Sequence, residues 1–111
     1  MKNIVETPHK VILTIVNKGQ GTRVVEISKR FGCEGGTILP GKGTGIRDSS
    51  FFGIQMTPEK DVVLSIVAED CVDNVLNAIC KAVKIRKKGN GISIVLGTKL
   101  TAGMAHLIND N

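Results

Sequence analysis

The 111-residue sequence contains no tryptophan and no tyrosine, and its only aromatic residues are Phe31, Phe51 and Phe52. Proteins that read single-stranded nucleic acid stack bases on aromatic platforms. Their absence argues against that class although the chain is basic, with 15 Lys and Arg against 10 Asp and Glu and a formal net charge of +5; no nucleic-acid partner is expected. Cysteine is scarce. Cys33, Cys71 and Cys80 make an odd number with no C-x-x-C spacing, which offers neither a disulfide framework nor a zinc ribbon and predicts reduced thiols. His9 and His106 stand far along the chain from all three cysteines, and Cys71 and Cys80 lie nine positions apart, on different faces of a helix, so no metal is predicted. Long apolar runs are missing as well. Val11 to Val16 and Val62 to Ala68 are interrupted by Thr14 and Ser65 and fall far short of the roughly 20 residues that cross a bilayer. No direct membrane insertion is expected. The first eight residues lack a long apolar run ahead of a cleavage site, which predicts no secretory signal and a cytoplasmic location.

What is present reads as one globular domain, 41% hydrophobic and 23% charged. Its strongest organising signal is an internal repeat. Lys10-Val11-Ile12-Leu13-Thr14-Ile15-Val16 and Asp61-Val62-Val63-Leu64-Ser65-Ile66-Val67 agree at four positions and exchange Ile for Val and Thr for Ser at two more. Each copy is followed by a helical pattern and a glycine-bounded apolar run, so one βαβ unit is written twice. In the second copy Val72, Val75, Leu76, Ile79 and Val83 share a helix face behind the N-cap candidate Asp70. In the first, Val24, Ile27, Ser28 and Phe31 do so, with Gly32 placed for a left-handed C-terminal cap. Strands are expected from Gly36 to about Gly43 and from Ile92 to Leu96.

The order βαββαβ predicts an α+β, ferredoxin-like fold: a four-stranded antiparallel sheet with two helices on one face. The expected organisation is an N-terminal extension over 1–9, the domain over 10–100 and a C-terminal tail over 101–111. If Val11, Leu13, Ile15, Val62, Leu64, Ile66, Ile92, Ile94 and Leu96 face the helices, period two leaves Ile12, Thr14, Val16, Val63, Ser65, Val67, Ser93 and Val95 on the bare side. That side carries no charge and predicts an oligomer packed through its sheets or, as the alternative, a face covered by the N- or C-terminal segment. The stretch from Gly43 to Glu59 reads as a long irregular loop, the first place to look for a partner.

Glycines cluster at Gly19-Gln20-Gly21, at Gly41-Lys42-Gly43-Thr44-Gly45 and at Gly89-Asn90-Gly91. They permit close backbone approach and can aim N–H groups at an anion, and they also simply make turns. Lys84-Ile85-Arg86-Lys87-Lys88 runs into the third cluster with more positive charge than a helix end needs, which suits a phosphate.

The doubled βαβ, Gly35-Gly36-Thr37-Ile38-Leu39 leading to Gly43-Thr44-Gly45, Val62 to Asp70 before Val72-Asp73-Asn74-Val75, and Gly89-Asn90-Gly91 before an apolar strand together resemble the PII nitrogen-regulatory signal-transduction proteins, in a divergent form with a shortened T-loop. The resemblance covers about residues 10 to 100. It implies a homotrimer and a non-enzymatic regulator that binds ATP, ADP or another adenine nucleotide, or a different small anionic effector, at clefts between subunits. Positions matching the family's site are Thr37 near the adenine, Gly43, Thr44 and Gly45 at the loop base, Lys60 closing the site, and Lys88, Gly89, Asn90 and Gly91 as the glycine-rich loop of the neighbouring chain. The loop 46–58 would then dock on a transporter or enzyme of nitrogen metabolism, its shape set by the ligand. With no tyrosine, the family's uridylylation has no acceptor. Two other readings share the fold: an acylphosphatase-like enzyme, with Gly19 to Arg23 cradling phosphate, and a metal-binding trimer resembling the CutA proteins.

Overall fold

The computed structural model describes residues 8–33, 35–43, 49–51, 54–56 and 58–99. In chain order the elements are β1 (His9–Asn17), α1 (Gly21–Arg30), β2 (Gly36–Lys42), β3 (Ser49–Phe51), β4 (Ile54–Met56), β5 (Glu59–Ala68), α2 (Val72–Ala82) and β6 (Gly91–Gly97), with one 3-10 turn, Glu69–Cys71, leading into α2. The two copies of the repeat are the two central strands. β1 and β5 pair antiparallel along their full length, Leu13 opposite Leu64, and the sheet order is β2-β5-β1-β6. All three pairings are antiparallel, which is the predicted ferredoxin-like arrangement. Pro40 falls in β2, an edge strand, where a residue without an N–H breaks the fewest ladder bonds. The region expected to be an irregular loop contains instead a small hairpin, β3 with β4. The proposed extension and tail lie almost entirely outside the described residues.

The faces of the sheet are the reverse of the expectation. Ile12, Thr14, Val16, Val63, Ser65 and Val67 are fully or nearly fully buried, in a core completed by Val24, Val75 and Ile79 from the helices. The uncovered side therefore carries the larger set. Register stacks it in rows: Ile66, Val11 and Leu96; Leu64, Leu13 and Ile94; Val62, Ile15 and Ile92. Ile66, Ile92, Ile94 and Leu96 are 40–52% exposed. The physical reason is steric and chemical together. The helices seat closely over short β-branched and hydroxyl side chains, and the one threonine among them is satisfied internally by Thr14 Oγ1 and Ser93 Oγ at 2.9 Å.

Both helices end as their sequences require. Gly32 has φ +118° just beyond α1, and the Cys33 N–H reaches back to the Ser28 carbonyl at 3.0 Å, closing the terminal loop that a left-handed residue permits. After α2 the same turn is made by a lysine. Lys84 has φ +50°, the Ile85 N–H donates to the Cys80 carbonyl at 3.0 Å, and the Asn90 side-chain amide donates to the carbonyls of Val83 and Lys84 at 3.2 and 3.1 Å. At the start of α2 the N-cap position is Cys71, and no side chain caps the helix there. Asp70 sits inside the preceding 3-10 turn. Burial, with the Asp70 charge and hydrogen bond behind it, holds the Cys71 thiol above its ordinary range.

Candidate functional site

One end of the sheet collects the ends of β1 and β2 and the starts of β5 and β6. Asn17 and Gly41 both lie opposite Lys60, and Val16 lies opposite Gly91. Beyond this end, the chain leaving α2 folds back as Lys84 to Asn90, pinned to the helix by Asn90. Between that arch and the strand ends is a cavity of about 380 Å³. Its cations are Lys60, Arg86, Lys87 and Lys88; its apolar wall is Ile15, Ile85 and Ile92; Gly43, Gly89 and Gly91 complete it. Such a hollow suits a ligand with an apolar or flat body and an anionic end, because the isoleucines can bury the first while mobile ammonium and guanidinium groups meet the second.

The sequence-derived residues distribute as follows. Gly43, Lys60, Lys88, Gly89 and Gly91 meet in this cavity. They do so within one chain, whereas the resemblance implied a glycine-rich loop contributed by a neighbour. Thr37 does not line it: it lies on β2 opposite Leu64, in a row of the uncovered face. Asn90 acts from behind, as the cap of α2. Thr44 and Gly45 lie outside the described residues, as do 46–48, 52, 53 and 57 of the loop 46–58.

The glycines have different reasons to be glycine. At Gly91, φ is +145° and a Cβ would run into the Ile15 carbonyl, so close strand approach requires it. At Gly43 a Cβ would meet only Lys60 Cγ at 3.9 Å, and its N–H is already donated to the Pro58 carbonyl at 3.2 Å. An anion placed here would meet mainly the cations.

The glycine turn before α1, the phosphate cradle of the acylphosphatase reading, is filled from within. Gly19 and Gly21 N–H groups donate to Asp61 Oδ2 at 2.9 and 3.0 Å, so a carboxylate of the same chain takes the favourable place at the helix N-terminus. A Cβ on Gly21 would sit 2.9 Å from that oxygen. Asp61 and Asn17 were not among the sequence candidates. Both flank glycines or strand ends, yet neither has a motif; only pairing brings them into place. Among the described residues no group of three or more His, Cys, Asp or Glu could hold a metal ion, and no helix is long and apolar enough to cross a membrane.

No protein-family model matches the sequence, and no curated protein matches it. Solved structures do resemble it. A protein from Thermus thermophilus described as PII-like and signalling superposes with a TM-score of 0.68 at 22% identity, covering 92% of this chain and 95% of its own. PII from Arabidopsis thaliana, crystallised with citrate, gives 0.65 at 21% identity over 85% of this chain and 80% of its own. CutA from Synechococcus elongatus gives 0.64 at 11% identity, over 89% and 85%. The two repeats, the sheet order and these superpositions agree: the chain has the PII-like form of the ferredoxin-like fold.

Proposed function

We propose that this chain is a cytoplasmic PII-like signalling protein that binds a small anionic effector, an adenine nucleotide foremost, in the cavity between the arch after α2 and the strand ends. The observation that carries the reading is the composition of that cavity: four cations and three isoleucines around about 380 Å³. That combination matches a planar base with a phosphate tail better than either a purely apolar or a purely ionic ligand. The likeness to a PII that was crystallised with citrate supports an anionic small molecule as the class. CutA shares the fold almost equally well, so the fold alone does not select the signalling reading; the lining of the cavity is what supports a small anionic effector.

On this reading copies associate as a homotrimer through the uncovered sheet face, whose nine aligned apolar side chains form a contiguous patch of the kind that marks an interface. The loop 46–58 leaves the sheet where Gly43 and Pro58 are hydrogen-bonded, next to the cavity, which supports a role in reporting ligand state to a transporter or enzyme of nitrogen metabolism. The signal is a shift between loop states rather than a chemical step.

Isothermal titration with ATP, ADP, AMP, cyclic nucleotides and citrate tests it. Binding of an adenine nucleotide is expected, weakened on the order of ten- to a hundredfold by Lys60→Met, the range for losing a charge-assisted hydrogen bond. Absence of binding by every one of these ligands overturns the reading and leaves the fold.

A further inference from the structure

We infer that Asn17 is the positioning residue of the anion cavity: its side-chain amide holds Lys60 and the Gly89 loop together without neutralising the lysine. The inference rests on the reading of that cavity given above. Lys60 Nζ donates to Asn17 Oδ1 at 2.7 Å, and Asn17 Nδ2 donates to the Gly89 carbonyl at 3.4 Å. Both Lys60 and Gly89 line the cavity, so one side chain behind it joins two of its walls.

The three charged residues that open β5 show why an amide is needed. The Glu59 carboxylate is engaged by Lys18 Nζ at 2.9 Å, and the Asp61 carboxylate by the Gly19 and Gly21 amides. Both neighbouring carboxylates are thus directed elsewhere, and Lys60 is held by a neutral oxygen. An ammonium has three donors; one fixed on Asn17 leaves two, and the full positive charge, for an incoming anion. Fixing a four-carbon side chain beforehand also removes part of the ordering that binding would otherwise require. Alanine would lose both bonds. Aspartate would keep the acceptor for Lys60, cancel its charge and lose the donor to Gly89.

The test is titration of ATP, and separately of inorganic tripolyphosphate, into wild type, Asn17→Ala, Asn17→Asp, Lys60→Met and the Asn17→Ala/Lys60→Met double variant, each checked for a cooperative thermal transition. Asn17→Ala is expected to weaken both probes on the order of tenfold and Asn17→Asp to weaken them more. Asn17→Ala is expected to add almost nothing once Lys60 is methionine, because residues acting through one another are not additive. Wild-type affinity in Asn17→Ala, undiminished affinity in Asn17→Asp, or full additivity in the double variant would each overturn the inference while leaving the cavity as a binding site. Should Asn17→Ala fail to fold, the aspartate variant, which preserves size and the Lys60 contact, decides it. If wild type binds neither probe, the reading of the cavity itself has failed, and this inference with it.

Discussion

The two faces of the sheet differ in a way that inverts the usual relation between size and burial. The face under the helices is built from Ile12, Thr14, Val16, Val63, Ser65 and Val67, two of its six being hydroxyl residues. The open face presents seven leucines and isoleucines with two valines in three rows across β5, β1 and β6. A sheet that was solvated on one side would alternate apolar with polar; strands apolar at both parities are those covered on both sides. On the proposed reading the larger residues belong to the contact between copies and the smaller ones to the contact with the helices. The charged start of β5 divides the same way. By the strand's alternation Asp61 shares the helix side with Val63 and reaches the N-terminus of α1, while Lys60 takes the open side beside Ile15 and Ile92 in the cavity.

The most direct way to break this comparison is to place one charge on each face. Val63→Asp, at a fully buried position, is expected to abolish cooperative unfolding, a loss of about 4 kcal/mol or more. Leu13→Asp, at the centre of the open face, is expected to keep native far-ultraviolet dichroism while sedimentation velocity shows a single-chain species. Identical behaviour of the two variants would erase the distinction between the faces.

Smaller changes sharpen it. Asp61→Ala removes the carboxylate that receives two amides at the start of α1 and is expected to lower stability by about 1–2 kcal/mol in thermal or urea unfolding. Ser65→Ala should have the opposite sign. Its hydroxyl is fully buried and has no hydrogen-bond partner among the described residues, so removing it is expected to raise stability by about 1 kcal/mol, read as a few degrees in the melting temperature. The least effect belongs to Lys18 and Glu59, a solvent-exposed pair. Its hydrogen bond and charge pull the Glu59 carboxyl below its ordinary value and push Lys18 above its own. The pair's contribution is therefore complete between the two ordinary values. It fades as pH falls through the lowered Glu59 titration and as pH rises through the raised Lys18 one. Nuclear magnetic resonance titration of the Glu59 carboxyl in wild type and Lys18→Met checks the sign: the substitution should move it upward.

How far these features can be read from sequence depends on whether they are local. The repeat of Lys10–Val16 at Asp61–Val67 specifies two like units, and the helix stripes and Gly32 specify where each turns, so the topology was legible. The face assignment was not. When Ile12 and Leu13 are both apolar, alternation identifies two faces without ranking them, and the assumption that bulk goes inward chose the wrong one. Likewise Gly43, Lys60, Lys88, Gly89 and Gly91 could be named from resemblance, but their meeting in one chain is a product of register at one sheet end. Asn17 and Asp61 escaped because their partners are remote in sequence, 43 positions away at Lys60 across a strand pair and 40 away at Gly21 at the start of α1. Asn90 was named from the resemblance as part of the glycine-rich loop, and its service to α2 needed the turn to be in place.

Pro40 on the outermost strand beside β5 bears on how copies can combine. A ribbon of paired backbones grows sideways only where every donor along its rim is available, and an imino acid there leaves a gap that a fresh strand cannot fill. With lateral addition obstructed at that margin, β6 is the edge of the sheet left open to it. On the proposed reading, in which copies meet through the open face, Pro40 guards one of the two rims of the sheet against a competing edgewise contact.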